Sequence, residues 1–406
     1  MKSVNLQGSS FRKLPDLCTP NLERLNIRDC ENLIDVHEAI GSLDKLKRWD
    51  LNNCKKLQIL PSTLRLKSLE IIILRGCVSL EKLPDLGAPN LEALDMDYCK
   101  NLIEVHEAIG SLGKLKRWGL QFCEKLQILP SSFKLKSLES ISLSSCVSLE
   151  KLPDLGAPNL KSLYMMDCEN LIEVHEAIGS LDKLKEWSLG NCKKLQILPS
   201  TLRLKSLSSI SLWGCVSLEK FPHIHQEMKC HSLDLHDSNI REWPSSLKDQ
   251  ISWLYCLSLV NFQNIGDFLV SISGCKFTNL GFLEVCDCDG HILESHILMK
   301  PDSFPLLRFL TINGSNIVTI PESIIGFTML EELSMRNCKK LREIPRLPQH
   351  IRSVNAANCT SLDLLSSCRV LNQVSSLSPP SLSLSLSLSL SLYVCVSLSD
   401  IYYENL

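Results

Sequence analysis

Nineteen cysteines and ten histidines are the residues of this 406-residue chain best equipped for chemistry. Grouped with carboxylates they could hold zinc, and in an oxidising compartment the thiols could cross-link. Their spacing argues against both. Twelve of the cysteines (Cys30, Cys54, Cys77, Cys99, Cys123, Cys146, Cys168, Cys192, Cys215, Cys288, Cys338 and Cys359) fall in one slot of a repeating pattern. Such a slot turns inward after a strand, where a small, weakly polar side chain stacks on its neighbours. The expectation is a reduced ladder inside the core.

His37, His106 and His175 each precede a glutamate, but they stand three repeats apart, roughly 14 Å at the usual strand spacing. They cannot share a metal and read as polar residues of the convex side. Cys286 and Cys288 are placed on a strand, whose alternation sends their sulfurs to opposite faces. His223, His225, Cys230 and His231 gather at a repeat junction in a spacing that matches no zinc pattern. The sequence holds no G-x-x-x-x-G-K-[ST], no G-x-S-x-G and no H-E-x-x-H. We therefore expect no catalytic residue, no cofactor and no metal.

Composition narrows the partners. Forty-three basic and 45 acidic residues leave a formal charge of −2, which steers the chain toward neither nucleic acid nor an anionic membrane. The start lacks the apolar core of a secretory signal, and no run of 18 apolar residues is present. Cytoplasm is the expected compartment, the nucleus being the other one open to it. The triplets at Asn313 and Asn358 are then chance matches to a glycosylation signal.

The elements that position these residues are repeats. Leu115–Leu126, LKRWGLQFCEKL, carries Leu115, Trp118, Leu120, Cys123 and Leu126 in an L-x-x-L-x-L-x-x-C-x-x-L skeleton that recurs every 22 to 24 residues. Residues 15–221 form three 69-residue blocks of three rungs each, with Trp49, Trp118 and Trp187 equivalent. Residues 222–362 continue in worn rungs, to a total of about fifteen. The L-x-L stretch alternates as a short strand does. Leu-Pro steps such as Leu83-Pro84 should stop a ladder and bend the chain back. Val36–Leu43 and its copies suit one or two helical turns, with the glycine interrupting them.

One rung cannot bury its own leucines, so the rungs must stack. The expected fold class is α/β: a leucine-rich-repeat solenoid, or horseshoe, over residues 1–362. A parallel sheet, roughly 70 Å long, would line its concave face, with irregular loops and short helical turns outside. No polar cap covers Val4 and Leu6, so an upstream truncation or missing domain is expected. Residues 363–406, with strict Ser-Leu alternation from Ser381 to Leu392, read as a disordered tail from translated low-complexity DNA.

Strand alternation also defines a solvent-facing set on the concave side. Its recognition candidates are Arg24, Asn26, Arg28, Arg48, Asp50, Asn52, Arg75, Asp95, Asp97, Arg117, Gln121, Tyr164, Met166, Glu186 and Trp213. Blocks one and two differ at 21 of 69 positions, and eight of these fall among the nine concave sites. Exposed outer residues such as Lys45, Lys47, Glu70, Glu81 and Lys82 are unchanged between the same blocks. The copies kept a scaffold and changed one face, as a recognition surface would.

The phrases Lys82-Leu-Pro-Asp-Leu86, Pro89-Asn-Leu-Glu92, Val105-His-Glu-Ala-Ile-Gly110 and Leu126-x-x-Leu-Pro130 resemble the leucine-rich-repeat region of plant intracellular nucleotide-binding immune receptors. The class with a Toll/interleukin-receptor-like domain is the most similar. Leu347-Pro-Gln-His-Ile351 through Leu362 resembles that family's junction into a post-repeat domain. The resemblance implies a non-catalytic module that binds a pathogen effector or host protein on its inner face, restrains a nucleotide-binding switch, or both. The signalling, P-loop and post-repeat domains of that family are missing from this sequence. A free-standing intracellular signalling scaffold and a truncated, non-functional fragment are the alternatives.

Overall fold

The computed structural model describes residues 1–363 except Cys18, Thr63, Ser131, Ser132 and 288–298, together with the side chains of Asp249 and Gln250. The Ser-Leu tail and Cys288 lie outside the described residues.

Sixteen three-residue strands form one parallel sheet in strict chain order, from Ser3–Asn5 to Ser353–Asn355. The central residue of each strand meets its counterpart in the next rung without slip: Leu25 on Trp49, Trp49 on Ile72, Ile72 on Leu94, Leu94 on Trp118. Fixed register follows from the alternation, because a slip of one residue would turn every leucine out to water. The fold is a leucine-rich-repeat solenoid of about fifteen turns, with the sheet on the concave face. Leu22, Leu25, Ile27, Cys30 and Leu33 are buried, as are Leu46, Trp49, Leu51, Cys54 and Leu57 stacked on them.

The cysteine slot does more than stack. Each described thiol of the slot donates to a backbone carbonyl one rung back: Cys54 to Ile27 at 3.2 Å, Cys77 to Leu51 at 3.3 Å, Cys146 to Leu120 at 3.1 Å, Cys338 to Ile312 at 3.0 Å. The accepting carbonyl already closes its own turn. The Leu51 oxygen takes the Cys54 N–H at 3.1 Å and offers its second lone pair to the Cys77 thiol. The residue before this slot has positive φ in all sixteen rungs, from Gly8 through Asp29 and Asn53 to Asn358. That left-handed corner turns the chain off the sheet, and Gly, Asn and Asp tolerate it best.

The structure departs from expectation in three ways, the first two on the convex side. A second ladder exists: Lys13–Leu14 pairs with Asp35–Val36, and Lys82–Leu83 with Glu104–Val105, in two-residue strands ending at or near the prolines. The helical segments are 3₁₀ turns (Glu38–Ser42, Glu107–Ser111 and Glu176–Ser180), and the glycine sits inside each turn and does not break it. At Gly179 an added Cβ would come within 2.5 Å of the Thr201 carbonyl, so the residue is small because the next rung crosses there. Cys286 lies beyond its strand, Phe282–Glu284, and is buried, so alternation does not place its sulfur.

Burial pushes the Cys54, Cys99 and Cys215 thiols from 9.0 up to about 12. A raised folded-state pKa stabilises the fold below the unfolded thiol's pKa and loses that stabilisation as pH climbs through the folded value. Thermal melts should therefore hold steady below about pH 9 and fall steeply toward pH 12. In a Cys54→Ser, Cys99→Ser, Cys215→Ser variant the alkaline slope should be shallower, whatever the variant's starting stability. An unchanged slope would show that the ladder does not titrate with unfolding.

Candidate recognition surface

The pleat gives each strand one buried residue between two that face the hollow of the solenoid. Arg24, Arg28, Arg117 and Glu186 are exposed there, while Asn26, Arg48, Asp50, Asn52, Arg75, Asp95, Gln121, Tyr164, Met166 and Trp213 are half-buried. Asp97 alone of this set is buried, at 9% exposure. Its carboxylate accepts the Gln121 backbone N–H at 2.9 Å and the Arg75 guanidinium at 3.2 Å, so it braces neighbouring rungs. Burial raises its pKa, partly offset by the Gln121 N–H and Arg75.

Several of these polar groups also serve the backbone. Asn26 and Asp50 accept the N–H two residues on, from Arg28 and Asn52, each at 3.1 Å. Arg28 and Arg48 lie 3.5 and 3.7 Å from Asp29 and Asp50, loose surface pairs that contribute little to stability. Their charges remain available to an incoming group.

The third block builds a different floor. Glu186 accepts hydrogen bonds from Tyr164 and from the Ser162 hydroxyl, the latter at 2.9 Å. Trp213 lies across Gly190, where an added Cβ would collide with the indole. The equivalents of Gly190 in the other blocks are Asn52 and Gln121, opposite Arg75 and Ser144. Glycine and tryptophan thus occur together, and the absent side chain is what seats the ring.

Sequence reasoning missed the corner residues beside this face. Asp29–Asn53 and Asp167–Asn191 are linked across rungs by amide-to-carboxylate hydrogen bonds of 3.0 and 2.8 Å. In the second block their counterparts are Tyr98 and Phe122, with φ of 62° and 57°. The two rings stack with centroids 4.7 Å apart, and Arg75 covers Tyr98 at 5.0 Å. A bulky residue in this backbone region is an outlier. The signal that would have found the slot is the Gly, Asn or Asp that directly precedes most of the ladder cysteines.

The other candidates resolve simply. His37, His106 and His175 cap the 3₁₀ turns, each Nδ1 accepting the N–H of an alanine two residues on at 3.1, 3.1 and 3.2 Å. Among the described residues no three His, Cys, Asp or Glu side chains converge to hold a metal, and no helix is long and apolar enough to cross a membrane.

The chain is similar to plant proteins. It is 30% identical over 344 residues to Protein SUPPRESSOR OF npr1-1, CONSTITUTIVE 1 of Arabidopsis thaliana, covering 76% of this chain and 22% of that protein. It is 30% identical to TMV resistance protein N of Nicotiana glutinosa over 72% of this chain and 26% of that one. To Disease resistance protein RPP4 of Arabidopsis thaliana it is 31% identical, over 85% and 29% respectively. The chain belongs to the leucine-rich-repeat regions of plant disease-resistance proteins. This repeat region spans about a quarter of the length of those relatives. No protein-family profile matches it. Among solved structures, YopM from Yersinia enterocolitica gives a TM-score of 0.45 at 18% identity over 88% of this chain and 64% of that one. At that score the likeness carries no argument, and the fold rests on the repeat region's own register.

Gly190→Ala should lift the Trp213 indole off the sheet and leave the core beneath untouched. The expected result is a red-shifted, more readily quenched tryptophan component with nearly unchanged thermal stability. An unshifted emission spectrum would mean that the ring is not seated on the glycine.

Proposed function

We propose that the concave face is the protein-recognition surface of a plant disease-resistance receptor. It takes a pathogen effector or a host protein, rests against a nucleotide-binding switch domain, or does both in turn. The single observation behind this reading is where the internal copies diverge. Eight of the nine concave positions differ between blocks one and two, against 13 of the remaining 60. The divergent side chains share one rigid face, whereas the buried set beneath them is nearly constant. Mutual burial does not account for that contrast, because all of the concave candidates except Asp97 are exposed or half-buried. A solenoid offers such a face at low ordering cost, since the strands are fixed before a partner arrives.

The chemistry suits proteins better than small molecules. Arginine, tyrosine, tryptophan and methionine, the types that anchor protein interfaces, are spread along successive strands of the sheet. On this reading the module is not an enzyme and works in the cytoplasm or nucleus, with no nucleic-acid or membrane partner.

The test compares two baits, the wild-type chain and an Arg24→Glu, Arg48→Glu, Tyr164→Ala variant, in plant extract with mass-spectrometric readout. Partners held by the concave face should vanish with the variant while its melting profile stays that of the wild type. Identical captures by both baits would remove the concave face from the reading.

A further inference from the structure

Charge is unevenly distributed along the sheet. From Ser3 to Gln121 the hollow carries five arginines (Arg24, Arg28, Arg48, Arg75 and Arg117) against three carboxylates, Asp50, Asp95 and Asp97. Over the next eight rungs, from Ser140 to Asn313, the solvent-facing strand positions hold no lysine or arginine. They hold Glu186, Asp234 and Glu284, on every second rung, with two strand spacings of about 4.8 Å separating one rung from the next in the series. Exposed or half-buried aromatic rings lie among them: Tyr164, Trp213, Phe282 and Phe309.

The three carboxylates share a further feature. Each accepts a neutral hydroxyl from the preceding rung or its neighbour: Ser162 and Tyr164 on Glu186, Ser211 on Asp234 at 3.1 Å, Ser258 on Glu284 at 2.9 Å. Among the described residues none of the three is paired with a lysine or arginine. His236 gives Asp234 its backbone N–H at 3.1 Å, while its imidazole pairs with Asp237 at 2.9 Å. Other carboxylates do find cations: Asp97 with Arg75 at 3.2 Å in the hollow, and Glu104 with Lys82 at 2.7 Å and Glu173 with Lys151 at 3.0 Å on the convex side. These three concave acids are thus oriented by neutral donors while their charge is left without a counterpart.

A carboxylate fixed in this way has already lost rotational freedom, and its net charge still attracts a cation; at Asp234 burial raises the pKa, opposed by its hydrogen bonds from His236 and Ser211. Trp213, flat on Gly190, adds an aromatic face of the kind that attracts ammonium and guanidinium groups. We propose that the C-terminal half of the concave face, from Tyr164 to Glu284, docks a basic segment of a protein partner. Its lysine or arginine side chains pair with Glu186, Asp234 and Glu284, and their stems lie on Tyr164 and Trp213. This rests on the concave face being the recognition surface and adds the sign of what it recognises. Of a partner that spans the whole hollow, the arginine-bearing half requires acidic groups at the other end.

The probe is a random dodecapeptide display library selected against the full chain, with affinities of the enriched peptides measured by fluorescence anisotropy at low and high salt. Lysine and arginine should dominate the selected peptides. A Glu186→Gln, Asp234→Asn, Glu284→Gln variant keeps the hydrogen-bonding shapes and removes the charges. It should weaken binding about tenfold or more and flatten the salt dependence, while Arg24→Glu with Arg48→Glu leaves the same peptides bound. The single Glu186→Gln change, at an exposed site, should reproduce part of the loss if the triple variant folds poorly. Acidic consensus peptides, no enrichment, or peptides lost only with the arginine variant would overturn the assignment of sign; the last of these would leave the concave face itself standing as a binding surface. Peptides that ignore both variants would overturn the face as well.

Discussion

Stacking of each rung's leucines on its neighbours is the constraint on which the solenoid depends, and at most rungs a bond from the ladder cysteine's thiol to the carbonyl one rung back completes it. That bond is individually weak, since a thiol is a poor donor and even ordinary hydrogen bonds contribute only about 0.5–1.5 kcal/mol. Its importance is positional. The carbonyl it reaches sits where the strand ends and the sheet ladder stops supplying donors. The thiol satisfies that oxygen's second lone pair in a site sealed from water. Cysteine also adds little volume, so successive rungs close without a gap.

That ladder and the left-handed corner before it divide the residues of a rung into two populations. Those between Leu22 and Leu33 that face inward answer to both neighbours at once, and the blocks hardly change them. Those that face the hollow answer less strictly, although Asp97 still braces two rungs and Trp213 still needs Gly190. The corner residue belongs to both groups: its backbone is dictated, its side chain is free. In blocks one and three it carries an Asp–Asn hydrogen bond. In block two it carries stacked Tyr98 and Phe122 in a conformation that bulky side chains avoid. The rings are half-buried and close no core, so packing does not account for the cost of the backbone. All three corner positions differ between blocks one and two, which extends the variable face beyond the strands.

The sequence made legible whatever depends on period. Trp49, Trp118 and Trp187 are buried because they occupy the second leucine slot, and Arg24, Asn26 and Arg28 flank buried positions because the strand alternates. What it left hidden depends on the rung next door. The roles of His37 and Gly179 become visible only when the 3₁₀ turn and the crossing backbone are placed. Asp97 has the period of an exposed residue, yet Arg75 on one side and Gln121 on the other draw it in. Neither partner is near it in sequence, and no single-strand pattern encodes the meeting. The second ladder at Lys82–Leu83 was hidden for a similar reason: two residues are too short to show alternation.

A formal charge of −2 over 406 residues describes a chain with no preference of sign. In a globular protein that average is close to what a partner experiences. In a solenoid it is not, because each rung contacts only its neighbours and distant rungs can carry opposite character at no cost to stability. The hollow here has an excess of arginine over aspartate from Arg24 to Arg117, and from Tyr164 to Glu284 it has aromatic rings beside carboxylates that, among the described residues, have no lysine or arginine partner. Between them Ser140, Ser142 and Ser144 supply a neutral rung. Physiological salt screens exposed charges beyond about 8 Å, less than two strand spacings. Each end therefore presents its own field to whatever lies against it. The polarity of the hollow is a property of the order of the rungs, and composition erases it.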